Sequence, residues 1–348
     1  MSVTDLPTSV ATLAERWAQF KLDNPKSRIR DAARHLETSE AELLATQCSG
    51  QPNAAVVRLT ADFAALLGQI PTLGRVMALT RNDSVVHERK GTYEKVSVKG
   101  PMGLVLGEDI DLRLFITHWH FGFAVNENER RSLQFFAQDG EAVHKIYLTE
   151  DSNAGAYEEL VSRFRAADQS PALATLPTPT GAADTPDADI DVTGFRDAWR
   201  ALTDTHDFFG LLRTYGVSRT QALRLGPPEL VQRLDNRAIV RGLEAAATSG
   251  LSIMLFVASR GCIQIHTGPV QHLVMAGPWY NVLDPDFNLH LKLGDVAETW
   301  LVKKPTTEGL VHSMELYDAQ GRNLLLFFGK RKPGIPEQDA WRELVTSL

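Results

Sequence analysis

The chain has 348 residues, 43% hydrophobic and 23% charged, with a formal net charge of −7. That length allows two domains, each able to bury a core of its own. The acidic balance argues against a protein built to sit on nucleic acid or anionic membrane, and no apolar run is long enough to span a bilayer.

The N-terminal stretch MSVTDLPTSVATLAERW is polar and acidic, with neither the basic nor the apolar region of a secretory signal. Cys48 and Cys262 lie far apart without CxxC spacing, so a disulfide framework or zinc cluster is not expected and a reducing cytoplasm is. Next comes SRIRDAARHLETSEAELLAT, a helical hairpin in which Ser39 is positioned to cap the second helix. Its outline is that of a helix-turn-helix, but Glu40 and Glu42 on the second helix oppose an approach to phosphates. The reading is a hairpin that covers a sheet, with no nucleic-acid partner.

Short β-prone runs follow at 75–79, 92–98, 104–106, 112–117, 122–125, 132–136 and 143–148, separated by Gly, Asn, Asp and Pro. His87 is expected at a strand end or turn. His118 and His120 are expected to alternate on one strand face, and they lack the further ligands a metal needs. In DLRLFI, Asp111, Arg113 and Phe115 share one face and Leu112, Leu114 and Ile116 the other. Residues 166–194, rich in Ala, Pro, Thr and Asp, read as an exposed and mobile linker.

The two sides of that linker resemble each other. LETSEAELL (36–44) aligns with YGVSRTQAL (215–223), so that Ser39 meets Ser218. VLGEDIDLRLF (105–115) aligns with VLDPDFNLHLK (282–292), and FAQDGEAVHKIYL (136–148) with DAQGRNLLLFFG (318–329) after one deletion. Order and spacing are kept, which marks a duplication. The expected organisation is an N-terminal repeat over 1–165, a linker over 166–194 and a C-terminal repeat over 195–348. The expected fold class is α+β, each repeat a large antiparallel β-sheet flanked by helices.

Where the copies differ, a single site is indicated. In LTDTHDFFGLLRTYGV (202–217), Phe208, Leu211, Leu212 and Tyr215 form a core-facing stripe, and His206, Phe209, Gly210 and Arg213 fall on the opposite side. The first copy places Ser27, Arg30 and Arg34 opposite His206, Phe209 and Arg213, and places Arg113 opposite His290. A flat apolar anion with a Lewis-acidic centre would use the second face: a histidine for the metal, an aromatic wall, a glycine that leaves room, and an arginine for carboxylates. Heme is that ligand. The helix N-terminus disfavours imidazolium and keeps His206 able to coordinate. His266 and His272 flank a Gly-Pro turn and are expected to be exposed, while His35, His144 and His312 have no sequence company. No GxSxG, P-loop, HExxH or GxGxxG stretch occurs.

With these residues in view, the chain resembles the cytoplasmic hemin-transport and hemin-degrading proteins of bacterial heme-uptake systems, the HemS/ChuS type. The motifs are RIRDAARHL, TSEAELLAT, VMALTRNDSVVHERKGTYEKV, DIDLRLFITHWHFGFAV, THDFFGLLRTYGVSR, LVKKPTTEGLVHSMELYDAQG, FFGKRKPG and EQDAWRELV. The resemblance implies one heme b in a cleft of the C-terminal half, with His206 as axial ligand and Arg113 as distal residue reaching over from the first half beside Phe115. It implies pocket-lining roles for Lys304 and Arg331, and Arg213 is added from the helical wheel as a propionate partner. Where the family carries a glutamine and a tyrosine, this chain has Leu326 and Phe328. That apolar change weakens a hydrogen-bonded network over the iron and leaves Arg113 with most of the distal polarity. The expected function is binding and trafficking of heme to an acceptor such as a heme oxygenase, downstream of an inner-membrane heme transporter. The alternative is oxidative opening of the porphyrin, which needs an external reductant.

Overall fold

The computed structural model describes residues 11–51, 54–178, 184–332 and 334–348. Helices α1 (Leu13–Asp23), α2 (Ile29–His35) and α3 (Glu40–Ala45) open the first repeat, followed by β1 (Val56–Leu59) and α4 (Phe63–Leu67). Strands β2 (Gly74–Arg81), β3 (Val85–Thr92), β4 (Ser97–Lys99), β5 (Met102–Leu106), β6 (Asp111–Phe115), β7 (Phe121–Glu127), β8 (Arg130–Phe136) and β9 (Ala142–Ser152) lead to α5 (Ala154–Phe164). The second repeat has α6 (Val192–Arg200), α7 (Phe208–Tyr215), α8 (Arg219–Leu225), β10 (Val231–Leu234) and α9 (Ala238–Ser249). It continues through β11 (Ile253–Ala258), β12 (Cys262–Gly268), β13 (Leu273–Ala276), β14 (Trp279–Leu283), β15 (Phe287–Lys292), β16 (Glu298–Thr306), β17 (Gly309–Tyr317) and β18 (Asn323–Gly329) to α10 (Asp339–Thr346). None of these helices is long and apolar enough to cross a membrane.

The strands form two nine-stranded antiparallel sheets with the same topology, so the duplication inferred from the sequence is a structural one. One sheet runs β1-β7-β8-β9-β2-β3-β15-β14-β13 and the other β10-β16-β17-β18-β11-β12-β6-β5-β4. Each repeat therefore lends three consecutive strands to the sheet of the other. The exchange is joined by the β15–β3 and β12–β6 ladders, where Phe287 to Leu291 pair with Arg89 to Val85 and Cys262 to Ile265 pair with Leu114 to Asp111. The sheets meet at their centres, β2 and β3 against β11 and β12. Two large apolar clusters fill the interior, one around Phe63, Leu112, Trp119 and Phe135, the other around Leu243, Leu255, Phe287 and Phe327.

Local signals behave as read. Ser39 and Ser218 each cap a helix in a full capping box, completed by Glu42 and Gln221. Helix α7 buries Phe208, Leu211 and Leu212 and ends on Gly216, whose φ of 63° is the left-handed C-cap conformation.

Several readings are corrected. VVHERKGT is a whole strand, with His87 fully buried at its middle; its polar residues hide the alternation because both faces of this central strand are covered. His118 ends a short 3₁₀ turn and His120 follows it, so they share no strand face. The strand stops there because Trp119 turns inward and its Nε1 donates to the Gly261 carbonyl at 2.9 Å. His266 is buried on β12 and stacks on Phe287 at 3.7 Å between centroids, whereas His272 is exposed beside Asp284. His144 does have company: its ring nitrogens meet Thr80 Oγ1 at 2.8 Å and Tyr93 Oη at 2.6 Å. So do His312, which pairs with Glu337, and His35, whose ring lies 5.0 Å from that of Phe20. The connection over 166–194 is strapped down at its described ends. The Gln169 amide exchanges two hydrogen bonds with the Arg58 backbone, Leu176 N–H donates to the Gln138 carbonyl, and Asp184 accepts from Ser218. Residues 179–183 of that segment lie outside the described residues.

Candidate functional site

Asp204 begins the site. Its Oδ1 accepts from the His206 backbone N–H at 2.8 Å and meets the ring Nδ1 at 2.7 Å, capping the 3₁₀ turn Thr205–Asp207. The carboxylate orients the imidazole and leaves Nε2 without a partner among the described residues, an arrangement typical of metal-ligating histidines. The Asp204 carboxyl lies below its ordinary value because it accepts from the His206 backbone, then from the ring, with the Arg331 charge adding a little. The His206 side chain is 85% exposed.

The α-helix starts at Phe208, so Phe209, Gly210 and Arg213 follow the helical wheel and His206 stands one 3₁₀ turn before them. Phe209 is 64% exposed, and a Cβ on Gly210 would meet nothing within 4 Å. An exposed ring, an unoccupied space and an oriented imidazole form one ligand-ready corner. The opposite side of α7 packs against Trp199, Trp300, Val302 and Tyr317, which seats the helix on the outer face of the second sheet.

Register places Arg113 on that same face. Ladder partners carry side chains to the same side of a sheet. One row links Trp300, Glu315, Leu326, Phe256, Ile265 and Asp111. Neighbouring rows place Phe328 with Met254 and Ser313, and Arg113 with Ile263 and Leu104, with Phe115 beside Met102. Three inter-strand steps separate β18 from β6, roughly 14 Å. His206 and Arg113, from different repeats, thus belong to one face because the strand exchange delivers β6 to the second sheet. The floor between them is apolar: Leu326, Phe328, Met254, Phe256 and Ile263 are half-buried, and the Phe256 and Phe328 rings lie 5.1 Å apart.

The basic residues divide into two kinds. Lys304 is buried and its Nζ donates to Glu315 at 3.0 Å while lying 4.9 Å from the centre of the Phe208 ring. Arg219 donates to both Glu315 oxygens and to Tyr317 Oη, with its guanidinium 4.7 Å from the Phe208 ring and 5.7 Å from that of Phe209. Burial alone would raise the Glu315 carboxyl, but the two cations outweigh it and hold it well below the carboxylate range. Burial pulls Lys304 down to about 8 against the opposing pull of Glu315. Arg213 and Arg331 have no carboxylate partner among the described residues, and Arg331 Nε is buried without a hydrogen bond. Sequence reasoning overlooked Arg219 and Asp204. The register that opposes Arg219 with Glu40, and the Asp two residues before His206, were the available signals.

Among its described residues the first repeat has no such corner. Glu40, at the position of Arg219, is buried between Arg81 and Lys145. Arg30, at the position of Phe209, donates to Asn82 and Asp83. The acid that argued against DNA binding is thus an interior ion-pair residue.

Comparison with known proteins identifies the family and the fold. The family model described as "Haemin-degrading HemS.ChuX domain" matches residues 37–164 and 216–348, one match per repeat. The chain is 38% identical over 343 residues to the hemin transport protein HmuS of Yersinia pestis, covering 97% of each. It superposes on the crystal structure of holo-PhuS, a heme-binding protein from Pseudomonas aeruginosa, with a TM-score of 0.94 and 49% identity over 97% of this chain and 99% of that one. The Escherichia coli heme oxygenase ChuS matches with a TM-score of 0.85 and 34% identity over 96% and 98% of the two chains. The chain therefore belongs to the haemin-degrading HemS/ChuX domain family.

Proposed function

We propose that this protein binds one heme against the outer face of its second sheet through His206 and passes it to an acceptor, as part of heme uptake and iron acquisition in the cytoplasm. The observation that carries the reading is the His206 corner: a carboxylate-oriented imidazole, exposed and next to an exposed phenylalanine and an open glycine, on the face that also bears Arg113. The residues present fit the ligand. Phe209, Phe328 and Phe115 supply apolar walls, Arg213 and Arg331 are cations free for propionates, and Arg113 is the distal donor. Lys304 contributes through Glu315 and Phe208. The repeats over 1–165 and 195–348, joined by 166–194, then have unequal roles, with the axial ligand in the second. A heme oxygenase as acceptor and an inner-membrane transporter as donor complete the pathway. Nothing in this reading calls for nucleic acid.

Titration with hemin tests it. The expected result is one equivalent bound with a Soret band that shifts or weakens in His206→Ala; two equivalent sites, or an unchanged His206→Ala spectrum, would overturn the assignment. The second reading, oxidative ring opening, is favoured by the likeness to a protein described as a heme oxygenase. It is disfavoured by Leu326 and Phe328, which put hydrocarbon where a proton-delivering network would stand. Mixing the complex with ascorbate and catalase separates the two. Soret loss that persists with catalase and yields a defined tetrapyrrole supports the enzyme, and bleaching abolished by catalase supports the carrier.

A further inference from the structure

Arg113 is the sole cation that the four strands β18, β11, β12 and β6 place on the ligand face; Leu326, Phe328, Met254, Phe256, Ala258, Ile263, Ile265, Thr267 and Phe115 supply no other. Its guanidinium is nevertheless engaged along its own strand rather than projecting from the sheet toward a ligand. The Nη1 group donates to the Asp111 carboxylate, two residues earlier on the same side of the strand, and to the Leu112 carbonyl at 3.3 Å. Both acceptors belong to Arg113's own strand. The flanking residues across the two ladders are Ile265 and Leu106 for Asp111, and Ile263 and Leu104 for Arg113. A charge pair ringed by aliphatic side chains feels a lower effective dielectric than one in open water, so the attraction between the two groups is strengthened.

We propose that Asp111 is a positioning residue of the heme face: its carboxylate holds the Arg113 guanidinium back along β6 and competes for it with an anion bound at the iron. The inference rests on the heme-binding reading above and adds a control element to it. Burial raises the Asp111 carboxyl, and the adjacent Arg113 opposes this without cancelling it. The carboxylate therefore depends on Arg113 for its compensation, which is the condition for real competition over the guanidinium. The sequence carries the same hint: the second repeat has Asn288 and His290 at the matching positions, and its β15 lies in the first sheet, so the acid–base pair is absent from the sheet that faces no heme corner.

The test uses the full chain loaded with ferric hemin, with sodium fluoride as the iron-binding anion, at one pH and ionic strength. Fluoride affinity is read from the visible spectrum for the wild type, Asp111→Asn, Arg113→Ala and the double variant. Hemin stoichiometry and melting temperature verify that each is folded. Freeing one charge-assisted hydrogen bond is expected to tighten fluoride about tenfold in Asp111→Asn, and removing the donor to weaken it about tenfold in Arg113→Ala. In the Arg113→Ala background the Asp111→Asn effect should shrink to within about twofold, because its target is gone. Asp111→Ala, which cannot re-form the contact through an amide, should act in the same direction. Unchanged or weaker fluoride binding in both Asp111 variants overturns the proposal. A tenfold effect that survives in the double variant overturns it as well, since Asp111 would then act through its own charge. Failure of the wild type to bind hemin overturns the reading of the site and this inference together, whereas a normal hemin complex with unaltered fluoride affinity overturns this inference alone.

Discussion

The chemistry of the proposed heme corner depends on how Asp204 and Gly210 treat the space in front of His206. Asp204 fixes the imidazole through Nδ1, so Asp204→Ala frees the ring and exposes it to a choice of tautomers. Loss of such an outer carboxylate costs metal affinity about 10–100-fold, and a hemin titration competed with a reference heme protein should find a loss of that order. The loss should vanish in a His206→Ala background; if it persists there, Asp204 acts on the fold. Gly210 predicts effects of opposite sign on two observables. It lies inside a helix next to open space, so Gly210→Ala should stabilise the protein by about 0.5–1 kcal/mol in urea denaturation. Gly210→Leu would fill the ligand's space and weaken hemin binding without a loss of stability. A destabilised Gly210→Ala would mean that the glycine serves the backbone.

The capped helices α3 and α8 show how a repeated element has been reused with its charge reversed. In the first copy the helix supplies the acid, Glu40, and the strands supply Lys145 and Arg81. In the second the helix supplies Arg219, the sheet supplies Glu315, and Lys304 and Tyr317 complete the cluster. The serine caps are shared because they satisfy helix backbone, while the next residue was free to change provided its sheet partner changed too. Glu315 is fully buried, so Glu315→Ala strands two cations and should lower stability by about 3–5 kcal/mol, seen as a reduced urea midpoint. Because Arg219 and Lys304 lie against the Phe208 ring, the same variant should loosen α7 and weaken hemin binding as well. Glu40→Ala should destabilise by a similar amount while leaving the hemin spectrum unchanged. That contrast separates a structural cluster from one that also supports the site.

The exchanged strands make each sheet the product of both repeats, so the two halves should unfold together. One calorimetric transition is expected, and two resolved transitions would show that the β15–β3 and β12–β6 ladders contribute little. The centre of the molecule also contains three buried histidines. Burial lowers His144 and His266 to about 3, and burial with the neighbouring His266 and Arg89 charges puts His87 well below its ordinary value. The sign follows from proton counting: below 6.5 the unfolded chain takes up protons that these native rings refuse. Stability is thus at its full value above pH 6.5 and declines as pH falls toward 3, by up to about 1.4 kcal/mol per pH unit for each histidine. Urea midpoints measured from pH 7.5 to 4.5 should fall steadily; a flat profile would mean that the rings protonate in place.

Length, patterning and internal similarity were enough to read a duplicated α+β chain with serine-capped helices, because capping, amphipathic stripes and turn chemistry act over a few residues and leave local marks. The exposed face of α7 that we propose for heme was legible for the same reason: an exposed phenylalanine and glycine where solvated side chains belong break the helical pattern. The sequence did not reveal that Arg113 reaches the second sheet by strand exchange, that Lys304 and Arg219 are held by Glu315, or that His87, His144 and His266 are interior. Each of these depends on distant partners, 11 positions away for Lys304 with Glu315, 96 for Arg219 with Glu315 and 64 for His144 with Thr80, or on which of two covered faces a strand turns inward. Pairing at that range is set by how two sheets close over a common core, and the free energy that selects it is spread over many contacts too weak to leave a mark at any one residue.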